Sequence, residues 1–386
     1  MRIVKRLLVA VAALLLLSFA AAYLASPVVT TRALAGLRGG PTGVLETVKG
    51  GLPAEVPVAS AAERAIDQAT LDEAVAWASA NDSHSLLVWH NGALQLEQYF
   101  PGYDRNTRSP TQSMHKSVLA LVIGVAISDG FIASVDDPAG RYLKEWAKDP
   151  RGAITIRQLL QQANGLDFPT LDLASGGEFL SLMLGDRLAE VVLSQPLATT
   201  PGTFFEYNNV GPEVLGIILE RATGRRYADY LSESLWSKIG ADDAQVTLDS
   251  EENRLARVFC CLDATARSWL QVGLLYLNGG MANGEQIVPA SWMREVTTPS
   301  PANPNYGYLT WLGTEHVPIR SYNSKAGSTA SHSEPFAAPD VIYFDGFGGA
   351  RVYVIPSVSL VIVRTGAIVG KFDDAWLPNL LTRAVD

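Results

Sequence analysis

Strand-like runs lie toward both ends of this chain and helical segments fill its middle, and that order most restricts the fold. Residues 85–90 and 93–100 are strand-like runs separated only by Asn91-Gly92. That pair is a strong hairpin signal, because both residues accept the positive φ of a tight two-residue turn. Past about residue 305, strand character returns in 306–311, 341–344, 350–355 and 360–365. Between these regions, residues 61–80 show apolar residues at helical spacing, and 117–280 reads mainly as helices cut by Gly and Pro breaks. Residues 212–223 set Val214, Leu215, Ile218 and Leu219 on one face and stop at Gly224. The expected class is α+β: an antiparallel sheet built from both termini and flanked by helices, with a mostly helical subdomain inserted at roughly 117–280.

Composition narrows the class of function. Of 386 residues, 48% are hydrophobic and 18% charged, which suits a globular chain with ample core and excludes a disordered or collagen-like one. The net charge of −9, with no Lys/Arg cluster past the N-terminus, excludes a broad nucleic-acid surface. Five scattered histidines without a paired spacing such as H-E-x-x-H argue against a metal hydrolase, and no metal or cofactor is expected. The only cysteines, Cys260 and Cys261, are adjacent. They cannot form a disulfide framework, and two buried thiols are the preferred reading over a vicinal disulfide.

The N-terminus reads as an address. Arg2, Lys5 and Arg6 precede an apolar run from Leu7 to Ala25 broken only by Ser18, with Ser26 and Pro27 ending it. This is the pattern of a secretory signal, and the run is also nearly long enough to cross a bilayer as an uncleaved anchor. The basic residues put the N-terminus in the cytoplasm and the rest outside. The expectation is an exported protein, periplasmic or extracellular, touching the cytoplasmic membrane through this segment if it is retained. Residues 1–27 are then signal or anchor, 28–60 a linker rich in Gly, Pro and small residues, and 61–386 the folded body.

Three segments carry chemistry. In Thr111-Gln112-Ser113-Met114-His115-Lys116, Ser113 and Lys116 are spaced i, i+3, so their side chains meet on one helix face. A serine hydroxyl needs a base to become a nucleophile, and a lysine serves once burial lowers its pKa. The apolar helix that follows would bury this lysine, whereas His115 points off the Ser-Lys face and reads as packing. The second segment is Tyr207-Asn208-Asn209, placed in a loop after Pro201-Gly202. A tyrosine hydroxyl there can relay a proton and an Asn can hold a lysine, but taken alone the segment reads better as a buried Tyr with a satisfied hydroxyl and a helix-capping Asn209. The third is Phe344-Asp345-Gly346-Phe347-Gly348-Gly349, whose glycines permit close approach of substrate and of the segment carrying Ser113, although taken alone it reads better as a Gly-rich hairpin turn between two strands.

In this order the three segments resemble the penicillin-recognising serine hydrolases, the superfamily of serine β-lactamases and penicillin-binding proteins. The chain is most similar to the class C-like branch with its carboxylesterases and 6-aminohexanoate-oligomer hydrolases. The resemblance runs from Ser85 to Thr365 and takes in Asp136-Asp137-Pro138, Asn164-Gly165-Leu166 and Ala264-Thr265-Ala266-Arg267. It implies a β-lactamase/transpeptidase-like fold and a small-molecule ester or amide substrate. Ser113 would be the acylated nucleophile, Lys116 its base, Tyr207 the proton shuttle and Asn209 a support for Lys116. The backbone N–H groups of Ser113 and Phe347 would form the oxyanion hole, with Asp345, Gly346 and Gly348 on the substrate-binding strand. The third motif departs from the family, which begins it with Lys or His where this chain has Phe344. The cation that would meet a β-lactam carboxylate is missing, Arg351 being the nearby candidate to replace it. The competing readings are a non-catalytic or penicillin-binding-type anchored protein, and a weak β-lactamase or D-alanyl peptidase.

Overall fold

In the computed structural model, which describes residues 20–21, 23–38, 40–172 and 176–385, the Asn91-Gly92 pair turns one strand directly into the next. Both residues have positive φ, 46° and 103°, as such a turn demands. The strands it joins, β1 (Ser83–His90) and β2 (Ala93–Tyr99), form one side of a six-stranded sheet. The other strands are β3 (Trp311–Leu312), β4 (Ile342–Gly346), β5 (Ala350–Ile355) and β6 (Leu360–Gly366). The order is β2-β1-β6-β5-β4-β3 and every pairing is antiparallel, so the expected sheet drawn from both ends of the chain is present.

Residues 306–311 depart from the expected strand. Tyr306 bridges Trp311 and the Gly307 N–H donates to Thr310 O at 2.9 Å, so the run folds back on itself. Gly307 permits this, because a side chain there would strike Val296 O. Only Trp311 and Leu312 join the sheet.

Alternation along the strands gives the sheet two apolar faces. On one, Leu86, Val88, Tyr353 and Ile362 pack with Leu71 and Ala74 of α1 (Gln68–Ala80). Helix α1 starts later than residue 61 because Asp67 caps it, its carboxylate accepting from the Thr70 N–H at 3.0 Å. Helix α2 (His115–Ser128) is buried from His115 to Ala126. Helix α3 (Val210–Thr223) ends at Gly224 with φ 66°. Helix α4 (Ala266–Leu277) covers the second face of the sheet, where Gly273 lets it close on Val352 and Val361. Helix α5 (Trp376–Arg383) contributes Leu377 and Leu381 to the first face. Each fully buried Leu, Ile or Val adds roughly 1.5–3 kcal/mol.

The chain divides into two compact units. The larger comprises Glu46–Phe168, Gln195–Val246 and Ala256–Asp386, and holds the sheet and α1 to α5. The smaller comprises the described residues within 1–45, 169–194 and 247–255. In it, Arg32 donates to the main-chain oxygens of Leu184 (2.8 Å), Gly185 (2.9 Å) and Asp249 (2.6 Å). Arg32 lies in a helix, Pro27–Leu37, that runs from the last residue of the expected signal or anchor into the stretch expected as a linker, and a strand follows within that stretch at Val44–Val48. Pro27 at the first helical turn explains the helix start. The basic N-terminus and most of the apolar run lie outside the described residues; among those described, no helix is long and apolar enough to cross a membrane.

Candidate active site

Ser113 sits in a short 3-10 turn, Gln112–Met114, that runs straight into α2. The turn packs against β4 and β5. Gly346 makes the approach possible, since a Cβ there would lie 2.3 Å from Thr111 O. The expected close approach of strand and serine segment is therefore real, and Gly346 is its reason.

Lys116 is buried, 1% exposed, one turn along α2. Its Nζ lies 2.8 Å from Ser113 Oγ and donates to Phe259 O at 2.7 Å and Asn209 Oδ1 at 3.0 Å. Burial drives its pKa down to about 7, against the opposing pull of Asp345 and Glu213. A neutral amine has two N–H groups and one lone pair. Phe259 and Asn209 take the two N–H groups, which leaves the lone pair for Ser113.

Tyr207 completes the cluster. Lys116 Nζ lies 4.9 Å from its ring centroid, and the Ser113 side chain acts on its hydroxyl. The ring packs against Trp311 (5.4 Å), Tyr322 (5.4 Å) and Tyr306 (6.1 Å). Burial, reinforced by Asp345, raises the phenol's pKa, so it stays protonated at neutral pH. The alternative capping role falls to the neighbouring residue. Asn208 Oδ1 accepts from the Val210 and Gly211 N–H groups at 2.9 and 3.0 Å, starting α3 and leaving Asn209 Oδ1 for Lys116.

Asp345 does not line an open strand. It is 4% exposed, and its carboxylate meets Arg320 at 2.5 Å and Arg351 at 2.7 Å and accepts from the Tyr322 hydroxyl at 2.7 Å. Asp374 closes the cluster, 2.6 Å from Arg351 and 3.1 Å from Arg320. Burial would raise Asp374, but the two guanidiniums outweigh it and hold the carboxyl below its usual range. Arg351 thus faces inward, donating also to Gly346 O at 2.6 Å, and is no ready replacement for the missing cation. Phe344 points to the opposite face, fully buried and 4.8 Å from the Tyr276 ring. Phe347, on the turn after β4, is 56% exposed, and Gly348 beside it has φ 80° and crosses close to Ile368.

Sequence reasoning missed Arg320, Tyr322, Asp374, Phe259 and Glu213. Glu213, fully buried on α3, accepts from the Val258 N–H at 2.9 Å and so steadies the loop whose Phe259 O holds Lys116. An acid in the first turn of an otherwise apolar helix face was its available signal; Phe259 acts through its main chain and had none.

His115 packs as expected, donating from Nδ1 to Cys260 O at 2.5 Å and accepting from the Tyr227 hydroxyl at Nε2, 2.7 Å away. Burial lowers its pKa from 6.5 to about 4. Between those values the unfolded chain takes up a proton that the folded one refuses, so stability falls as pH drops through that window, by at most about 1.4 kcal/mol per pH unit. Denaturant titrations at pH 6.5 and 4 are expected to show a smaller loss in His115→Gln than in wild type. Equal losses would refute the assignment. Cys260 and Cys261 are not free thiols as expected but form a vicinal disulfide, with Cys261 at φ 70°.

Set beside known proteins, the beta-lactamase family profile matches residues 71–367. The 6-aminohexanoate-dimer hydrolase of Paenarthrobacter ureafaciens is 30% identical over 227 residues, 55% of this chain and 56% of that protein. The matched stretch is thus little more than half the length of that relative. A Bacillus anthracis structure assigned provisionally as a 6-aminohexanoate-dimer hydrolase has a TM-score of 0.68 at 22% identity, over 89% of this chain and 88% of its own. EstCE1, a hydrolase with promiscuous acyltransferase activity, gives 0.62 at 15% identity, over 82% and 98%. The two structures speak for the fold. The profile runs from α1 through β6 and so takes in both sides of the sheet and the Ser113 turn: the chain belongs to the beta-lactamase family.

Proposed function

We propose that this protein is a serine hydrolase that cleaves a small ester or amide through an acyl-enzyme on Ser113. One observation carries the reading: a buried lysine, its pKa lowered to about 7, sits 2.8 Å from a serine hydroxyl at the start of a buried helix. Neutral Lys116 takes the Ser113 proton as Oγ attacks the substrate carbonyl, forming the C–O bond and a tetrahedral oxyanion. The N–H groups of Ser113 and Phe347 receive that oxyanion, one such donor being worth roughly 3 kcal/mol. Tyr207 gives its proton to the departing alcohol or amine as the scissile bond breaks, and recovers one from Lys116. Water then adds to the acyl-enzyme by the same transfers in reverse roles, releasing the acid and restoring Ser113. Asn209 keeps the Lys116 amine oriented throughout.

Gly346 and Gly348 shape the strand end for the substrate, while Asp345 works from inside the cluster. The family's hydrolase relatives support the class of reaction, and the 6-aminohexanoate-dimer hydrolase supports linear amides among the substrates to try. The reading includes export, with the N-terminal segment as signal or membrane anchor. The basic residues before the apolar run support it, and a vicinal disulfide suits an oxidising compartment.

A fluorophosphonate probe tests the nucleophile directly. It is expected to add one phosphonyl group to the wild-type chain by intact mass and none to Ser113→Ala. An unlabelled wild type, or a labelled Ser113→Ala, removes Ser113 from the role.

A further inference from the structure

Tyr207 lies in a stretch, residues 204–208, with no regular secondary structure. Neighbouring segments must therefore hold it. Its N–H donates to Tyr322 O at 3.2 Å, and its carbonyl accepts from Asn323 Nδ2 at 2.9 Å. The preceding Glu206 carboxylate accepts from the Ser324 N–H at 2.9 Å and from Ser324 Oγ at 2.6 Å. Three consecutive residues of one turn thus clamp the chain on both sides of the Tyr207 ring.

That turn is in turn fixed to the sheet. The Tyr322 hydroxyl donates to Asp345 Oδ2 at 2.7 Å, the same oxygen that meets Arg320 Nη2 at 2.5 Å. Arg320 belongs to a two-stranded hairpin, Ile319–Ser321 with Thr329–Ser331, of which residues 322–328 are the loop. Its guanidinium lies 3.7 Å from the Trp311 ring centroid and 4.5 Å from that of Tyr322. Asp345 is next to Gly346, the residue that abuts the Ser113 segment. One carboxylate oxygen therefore joins the loop that holds Tyr207 to the strand that approaches Ser113.

We propose that Tyr322 is a positioning residue for Tyr207: its hydroxyl, held by Asp345, sets the 322–324 turn that clamps the Tyr207 main chain beside Lys116. The proposal rests on Tyr207 being the proton carrier. Tyr322→Phe removes one oxygen and keeps the ring that packs on Tyr207 and Arg320. It avoids the larger damage of Asp345→Asn, which would leave buried arginines short of a counter-charge.

The test is steady-state turnover of p-nitrophenyl butyrate by wild type, Tyr322→Phe, Tyr207→Phe and the double variant. Tyr322→Phe is expected to lower kcat roughly ten- to hundredfold, because small displacements of a proton-transfer group cost that much. KM should stay within about threefold, and the substitution should cost less than about twofold once Tyr207 is already Phe. Asn323→Ala, which cuts the clamp without touching the buried cluster, should repeat the pattern more weakly, and carries the test if Tyr322→Phe fails to fold. Equal losses in both backgrounds, or an unchanged kcat in Tyr322→Phe, overturn this inference alone. Full turnover by Tyr207→Phe overturns the proton-carrier reading, and this inference with it.

Discussion

Lys116→Ala is expected to lower kcat/KM on p-nitrophenyl butyrate by roughly 10²- to 10⁴-fold, the range that a positioned general base supplies. Alanine leaves Ser113 without the amine now 2.8 Å away, and nothing else in the cluster replaces it: Tyr207 stays protonated and Asn209 does not ionise. Tyr207→Phe should cost a similar factor while preserving the packing of the ring against Trp311 and Tyr306. The two losses should not add, because residues that pass one proton between them forfeit most of the rate with the first removal. The wild-type pH profile reports the same chemistry. With Lys116 titrating near pH 7, activity should be low on the acid side, where the amine is charged, and rise as pH climbs through that value. In Lys116→Ala that limb should disappear along with most of the rate. Wild-type turnover by Tyr207→Phe would remove the tyrosine from proton transfer, and an unaltered acid limb in Lys116→Ala would remove the lysine as its source.

Those side chains were legible because local rules place them. The i, i+3 spacing fixes Ser113 and Lys116 on one helical turn whatever surrounds them. The apolar stretch after them predicts the burial that lowers the lysine's pKa. Asn91-Gly92 fixed the hairpin, and Gly346 the close approach, through backbone geometry alone. The buried ion cluster obeys no local rule. Arg320 reaches Asp345 across 25 positions and Asp374 across 54, and nothing in its own neighbourhood marks it. Before folding, Asp345 and Arg351 were a strand acid and a strand base on opposite sides of a glycine turn. Their register as direct partners, Asp345 opposite Arg351, follows only once β4 and β5 pair. The 306–311 run misled because its aromatic content reads as strand, whereas Gly307 and a close main-chain contact fold it back. The thiol reading failed for a related reason: main-chain shape at Cys261, with φ 70°, is not written in the identity of two adjacent cysteines.

The buried arginines, rather than Phe344, decide how this strand meets a charged substrate. Phe344 is packed against Tyr276 on the far face, so Phe344→Lys would bury an amine rather than build a carboxylate site. Of the cations on the near face, Arg320 and Arg351 are each already paired with Asp345 and Asp374, while Arg364, opposite Arg351 in the register, is buried and turned toward Ser83 Oγ and the Asn81 carbonyl. Two guanidiniums and two carboxylates balance, so a substrate carboxylate brought to this strand meets no uncommitted charge within the cluster. A charge-assisted hydrogen bond is worth about 1.5–3 kcal/mol, and forgoing it amounts to roughly 10- to 150-fold in kcat/KM. Short-chain esters carry no such group and escape the loss. The expected result is that p-nitrophenyl butyrate is turned over with a kcat/KM well above that for nitrocefin. A sharper comparison holds the reactive ring constant: the methyl ester of nitrocefin should be a better substrate than nitrocefin itself, by about tenfold or more. If the free acid is hydrolysed as well as its ester, some cation of this chain receives the carboxylate after all, and the balanced cluster does not set the preference.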